Sequence, residues 1–282
     1  MAPWEARLSL VFTAPREGAT VLSDRQSVGP MAVQKILYPE GPGVAHAFVL
    51  HPPSGIAGGD HLSVAVQVDS GAHALMTTPG ATRWYKANGR NACQQVVLDV
   101  SDHASLEWLP SENIFFDQAQ AQMRSRVALA PTARFIGWEI MQFGQRQALD
   151  SYDHDWDAAN VSVMQSIEIA GQCDWQESAR YTDETVAKLF SVQGTAGYPV
   201  VGTLWAYGPD CLPESDREAW VQQMAFSSDV RSGCTQLPSG LVVLRVLARE
   251  TDRAREVLMQ AWGWLRPWAV GRPAQPLRIW AT

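Results

Sequence analysis

The amino-acid sequence predicts a mainly β protein, a long β body that ends in a C-terminal helix-strand-helix subdomain. Three observations predict it. Apolar residues alternate with polar or small ones at period two through most of the chain. Gly, Pro and Asn punctuate those runs, and after about residue 210 the apolar spacing turns helical. In chain order, Leu8, Leu10 and Phe12 alternate with polar or small residues. Val64, Val66 and Val68 alternate with Ala65, Gln67 and Asp69, and Ser70-Gly71 then turns the chain. Ile136, Trp138 and Ile140 face one way, with Phe135, Gly137 and Glu139 opposite. Val161, Val163, Ile167 and Ile169 form a further run.

Beyond residue 210, Ser215 and Glu218 have the spacing of a capping box ahead of Trp220, Val221 and Met224. One buried strand is expected over Leu241 to Ala248. Ala254, Val257, Leu258, Ala261, Trp262 and Leu265 then recur at helical spacing, with Thr251 or Asp252 as cap and Pro267 as stop. The expected organisation is residues 1–210 as the β-rich body and 211–282 as an α+β subdomain packed on it, one domain overall. No fixed-length repeat marks a solenoid.

The 282 residues are 46% hydrophobic and 18% charged, enough to build a core without staples. The net charge of -7, from 22 basic and 29 acidic residues, argues against a nucleic-acid partner. No apolar stretch approaches the ~20 residues of a membrane span. Cys93, Cys173, Cys211 and Cys234 include no CxxC pair, and Met1 to Val11 has no signal-length apolar core. The expectation is a cytoplasmic protein whose thiols are reduced and serve as small apolar fillers. The 12 Trp, with 19 Arg against 3 Lys, suit either protein interfaces or a Trp-rich core.

GxSxG, HExxH, GxxxxGK[ST] and GxGxxG are all missing, so nucleotide-driven and serine-hydrolase chemistry lose their usual support. Residues 46 to 89 hold His46, His51, His61 and His73. His51-Pro52-Pro53-Ser54-Gly55-Ile56-Ala57-Gly58-Gly59-Asp60 is a shaped loop, and Thr77 to Tyr85 makes a second turn with hydroxyls, Arg83 and two aromatics. Imidazoles beside carboxylates suit a borderline divalent ion such as nickel or zinc. The plainer reading is of solvated or hydrogen-bonded loop histidines, since no ligand spacing joins them.

The same residues carry a resemblance to the urease accessory protein D family (UreD/UreH). Val28-Gly29-Pro30 to Val33-Gln34 and Tyr38-Pro39-Glu40 resemble its start. His51 to Asp60 is similar to HPPGGIVGGD, with Ser54 and Ala57 substituted. Thr77 to Lys86 is similar to TTPGATKFYR, and LEWLP stands intact at Leu106 to Pro110, followed by Glu112 and Ile114-Phe115-Phe116. Trp264-Leu265-Arg266-Pro267 and Arg278 to Thr282 resemble its ending. Gly144 to Tyr152 departs from the family's GRxxxGExF-like stretch: Gln145 and Leu149 replace Arg and Gly, and Asp150 replaces Glu.

The resemblance implies a helical β-rich (β-helix-like) body and a non-enzymatic protein. It implies binding to apo-urease and to accessory protein F, which recruits the GTPase accessory protein G. Nickel would cross transiently through an internal water-filled passage, with no tightly bound cofactor. Such a path needs binding that admits the ion and still releases it. By the resemblance, Asp60, Thr82, Glu139 and Glu177 belong near the passage, with His51 from the glycine loop, and Trp262, Leu265 and Arg266 belong to the helix core or to a partner contact. Glu139 faces either a polar interior or solvent, and Asp60 otherwise hydrogen-bonds its own turn. Glu107 and Glu112, which flank Trp108, read as surface residues ahead of passage residues. Two other functional classes stand beside this one: a purely structural adaptor between urease and the GTPase complex, and a metal-dependent hydrolase built on His51, Asp60, His61 and His73.

Overall fold

The computed structural model describes residues 4–146, 154–156, 159–208, 210–223 and 229–281. Met224, Thr282 and positions 147–152 of the divergent stretch lie outside the described residues.

The period-two runs form strands because each has one face to bury. In the strand Glu5–Arg16, Leu8, Leu10 and Phe12 are buried, and in the strand His61–Val68 so are Leu62, Val64, Val66 and Val68. Among the described residues the strands make two large sheets. The outer sheet runs in the order Gln172–Thr182, Asn160–Ile169, Gln120–Leu129, Ala92–Val100, His61–Val68, Glu5–Arg16, Ala19–Val28. Its five inner strands are parallel, and an antiparallel strand closes each edge. The central sheet runs Val230–Gln236, Val242–Ala248, Val200–Tyr207, Arg134–Phe143, Ser105–Leu109, His73–Thr77, Ala45–Leu50, Ala32–Val33. Its strands from Ala45 to Phe143 are parallel.

The chain therefore coils, laying one strand in the outer sheet, one in the central sheet, and then a short third-side strand. These third strands, Gly55–Ile56, Thr82–Trp84 and Asn113–Phe115, pair in parallel with each other and with Met141 to Phe143. This is the β-helix-like body that the resemblance implies. The corner between the two large sheets repeats from rung to rung. The N–H groups of Ala72, Ala104 and Ala133 donate to the carbonyls of Asp69, Ser101 and Ala130 at 3.0, 3.1 and 3.0 Å. Ser105 and Arg134 then donate to the carbonyls of Ala72 and Ala104, both at 2.9 Å. A small residue recurs there because the stacked corner leaves no room: all three alanines are buried. On the third side, in-register Trp84, Phe115 and Phe143 stack at centroid separations of 5.3 and 5.7 Å, and Trp156 closes the ladder 5.0 Å from Phe143.

The helix Thr251–Val270 covers the far face of the central sheet. Ala254, Leu258, Ala261, Trp262, Leu265 and Ala269 form its buried stripe, packed on Ile136, Trp138 and Ile140. Both faces of the strand Arg134–Phe143 are thus covered, one by the helix and one by the outer sheet.

Four expectations change. The C-terminal region holds two strands between its helices, Val230–Gln236 as well as Val242–Ala248, joined by a turn in which Gly240 takes φ 93°. The first strand is a polar edge, VRSGCTQ, without a clean apolar face. Ser215 lies inside the helix Glu214–Gln223 and not at its cap. The last helix has Glu250 at its N-cap and runs through Pro267 to Gly271, which takes the left-handed φ of 71°. Pro267 is tolerated because only a last-turn hydrogen bond is lost, while Ala269 and Val270 beyond it are buried. Finally, Cys173 and Cys211 are exposed thiols, not fillers.

Candidate functional site

The strand Arg134–Phe143 sends Phe135, Glu139, Met141 and Phe143 toward the outer sheet. Beside Glu139 the two sheets part around a cavity of about 270 Å³. Leu62, Val64, Gln94 and Val96 of the outer sheet form one wall, and Val49 and Trp108 belong to the other. Its mouth is built from loops: His51 and Ser54, Thr78 to Thr82, and Pro110-Ser111. Those loops are tied together. Ser111 N–H donates to Thr78 Oγ1 at 2.9 Å, Ser111 Oγ donates to the Thr78 carbonyl at 3.0 Å, and Thr82 N–H donates to the Glu112 carbonyl at 2.9 Å.

Glu139 and Asn113 sit at the inner end. Trp84 Nε1 donates to Asn113 Oδ1 at 2.9 Å, which turns the amide NH₂ toward Glu139, where Nδ2 donates to Oε1 at 2.5 Å. The other carboxylate oxygen makes no hydrogen bond and is not enclosed, so it is left to the cavity. Burial pushes the Glu139 carboxyl up to about 7, with the Asn113 hydrogen bond acting against it.

The other predicted residues separate. His51 and Thr82 line the same cavity as Glu139. Burial lowers the His51 imidazole, and the charge of nearby Asp60 opposes that. Asp60 does not line the cavity. Its carboxylate accepts from Ala57 N–H at 2.9 Å and Trp4 N–H at 3.3 Å, which closes the glycine loop and pins it to the N-terminal strand. Glu177 lies on the edge strand Gln172–Thr182 and pairs with Arg245 of the central sheet, both about one-third exposed.

Trp262, Leu265 and Arg266 belong to the core. Their exposures are 2%, 0% and 0%, so none is presented to a partner. Arg266 reaches inward because two carboxylates meet it there. Nε donates to Glu107 Oε2 at 2.9 Å, NH1 to Glu40 Oε2 at 2.9 Å and NH2 to Glu40 Oε1 at 2.8 Å. Glu107 also accepts from His73 Nε2 at 2.9 Å and Trp262 Nε1 at 2.7 Å, and His46 Nε2 lies 2.8 Å from Glu40. Burial alone would raise both carboxyls. Hydrogen bonds from His46 and Arg266 outweigh it and take Glu40 down to about 2, and those from His73 and Arg266 hold Glu107 below its ordinary value. Glu107 is thus fully buried, and Glu112 is buried in an ion pair with Arg255; neither is a surface residue.

His51, Asp60, His61 and His73 do not converge. His73 lies under the helix and His61 is exposed on the outer sheet. Among the described residues no group of three or more His, Cys, Asp or Glu is placed to hold a metal. The sequence reading missed Asn113 and Gln94. Asn113 directly follows the noted Glu112, but an Asn in a three-residue strand carries no pattern of its own.

The family model described as UreD urease accessory protein matches residues 5–281. A urease accessory protein UreD of Ralstonia nicotianae is 43% identical over 287 residues, covering 100% of this chain and 95% of its own. The urease accessory proteins UreD of Delftia acidovorans and Bordetella pertussis are 41% and 40% identical, each over 99% of this chain and over 95% and 98% of their own. The chain belongs to the UreD urease accessory protein family.

That family is one of accessory proteins, not enzymes. Three of the UreD-like runs meet at the cavity: His51 and Ser54 from the glycine loop, Thr78 to Thr82 from the second turn, and Trp108 and Pro110 from LEWLP. Among the described residues of this UreD-family chain, no helix is long and apolar enough to cross a membrane.

Proposed function

We propose that this chain is a urease maturation factor that binds apo-urease together with accessory proteins F and G, the latter a GTPase. Nickel passes through the chain to the urease active site, in a cytoplasmic assembly, with no resident cofactor. One observation carries the reading. A single carboxylate oxygen of Glu139 opens on a cavity otherwise bordered by hydroxyls, two amides, one imidazole and largely apolar groups. Such a donor set exchanges ligands with water readily; a cluster of thiolates or imidazoles would hold nickel fast. Thr82 and His51 serve at the mouth. Asp60 acts on the loop, holding His51 and Ser54 in place. Glu177 stands at the opposite edge of the sheets.

Co-expression of Glu139→Ala with tagged urease and the other accessory proteins tests this. The expected result is normal recovery of the chain in the pulldown, with several-fold less nickel per urease. Equal nickel at equal recovery would sink the passage and leave the structural adaptor as the reading.

A further inference from the structure

The mouth of the cavity is held from the helix side as well as from within. The turn at residues 110–112 links the central strand Ser105–Leu109 to the third-side strand Asn113–Phe115, so it lies where the body turns a corner. Its bonds divide between two directions. Toward the cavity, Ser111 bonds Thr78 and the Glu112 carbonyl accepts from Thr82 N–H. Toward the helix, the Pro110 carbonyl accepts from Trp138 Nε1 at 2.8 Å, and the Glu112 carboxylate pairs with Arg255 of the helix Thr251–Val270.

The site depends on Glu112 twice. Its carbonyl fixes Thr82 at the mouth. The next residue, Asn113, carries the amide that donates to Glu139 at the inner end. Asn113 is also in register with Thr82. Its strand is three residues long, so its first residue takes its place from whatever anchors Glu112. The ion pair suits that task. The side chains of Glu112 and Arg255 are 12% and 28% exposed, so water screens them less than a surface pair. Asp252 lies 3.8 Å from the other guanidinium nitrogen, NH1, and steadies it from the opposite side. Arg255 stands outside the buried stripe of the helix and about three turns from Arg266, at the corner of the body and not beneath the helix.

Building on the passage reading, we propose that Arg255 is a positioning residue for the cavity: through Glu112 it keeps the mouth loop bonded to Thr82 and aims Asn113 at Glu139. Without the guanidinium the turn loosens, Thr82 and Asn113 shift together, and the mouth loses its fixed spacing from the inner carboxylate.

Arg255→Gln and Glu112→Gln test this. The second keeps the backbone carbonyl and the side-chain shape and removes the charge, and Arg255→Lys keeps a cation in place. Each is co-expressed with tagged urease and the other accessory proteins. The recovered complex is read twice, by nickel per urease and by hydrogen exchange in the segment that contains the Thr82 amide. The expected result for both Gln variants is normal recovery, several-fold faster exchange at Thr82 and several-fold less nickel, with Arg255→Lys close to the parent in both readouts. Faster exchange in the first turn of the helix with Thr82 unchanged would show an anchor of the helix alone and overturn the proposal. So would loss of recovery in both Gln variants, or a fall in nickel that Arg255→Lys also shows. Faster exchange at Thr82 with unchanged nickel, while Glu139→Ala lowers nickel, would overturn the positioning role and leave the passage standing. Unchanged nickel in every variant, Glu139→Ala included, would remove the passage and this proposal with it.

Discussion

Replacing Arg266 by Met is the sharpest test of what holds the helix to the sheet. The Met side chain keeps the stem that lies against Trp262, where the guanidinium carbon sits 5.0 Å from the ring. It removes the cation that, among the described residues, alone bonds both Glu107 and Glu40. Glu107 is 0% exposed and would retain only His73 and Trp262 as partners. Breaking a buried pair from one side costs about 3–5 kcal/mol. Two carboxylates lose their shared cation here, so the upper end applies. For a domain of this size that is a drop of roughly 10 °C in melting temperature. The assay is thermal and urea unfolding of parent, Arg266→Met, Glu107→Leu and the double variant. The double variant should lose less than the sum of the singles, because it leaves one carboxylate fewer without its cation. A loss below about 1 kcal/mol for Arg266→Met, or strict additivity, would refute a desolvated shared cation.

Three further substitutions lie away from that cluster. Glu139 has a folded value of about 7 against 4.5 for the ordinary group, so it favours the protonated form on folding. The stability it contributes is complete below 4.5 and is lost as pH rises through 7, a swing of about 3 kcal/mol. Glu139→Gln should match the parent in urea unfolding at about pH 4.5 and exceed it at about pH 8.5; a difference independent of pH would show an ordinary carboxylate. Phe143→Ala opens the aromatic ladder between Phe115 and Trp156 and should cost about 3–5 kcal/mol. Val192→Ser, at 85% exposure, should move stability by less than about 0.5 kcal/mol. Equal effects from these last two would mean that the ladder is loosely packed.

How much of this was legible follows from how local each signal is. The alternation of Leu8, Leu10 and Phe12, or of Val64, Val66 and Val68, is set by neighbouring residues and survives in the fold. The rung repeat is not local. Val64, Val96, Ser125 and Gln165 are equivalent positions, but the steps between them are 32, 29 and 40 residues, so no fixed period exists to find. The strand Val230–Gln236 hid because an edge needs no apolar face. Parity placed Glu139 opposite Ile136, Trp138 and Ile140, and left polar interior or solvent open. Only the outer sheet, made of strands from both ends of the body, decides for the interior. Helical spacing put Trp262 and Leu265 on one face of the last helix and left core or partner contact open, and the burial of Arg266 depends on Glu40 and Glu107, far away in sequence.

The two faces of the central sheet treat buried polar groups in opposite ways, and that contrast is the physical argument for where function lies. Under the helix, Glu107, Glu40, His46, His73 and Arg266 satisfy one another, so that side behaves as a rigid clasp. Between the sheets, Glu139 keeps one oxygen free while Gln165, Thr203 and Trp205 stay unpartnered. A fold selected for stability alone would replace those groups with apolar ones at no loss. Glu139 and Thr203 are in register on neighbouring strands, and Trp205 lies two residues from Thr203, so these groups adjoin one another where local rules yield to a task. Substitutions on the helix side should therefore move the melting temperature, and substitutions between the sheets should move nickel delivery. A helix-side variant such as Arg266→Met that stays folded in the complex should still load urease. If it does not, the clasp and the passage are coupled through the central sheet, and the division of labour between its faces fails.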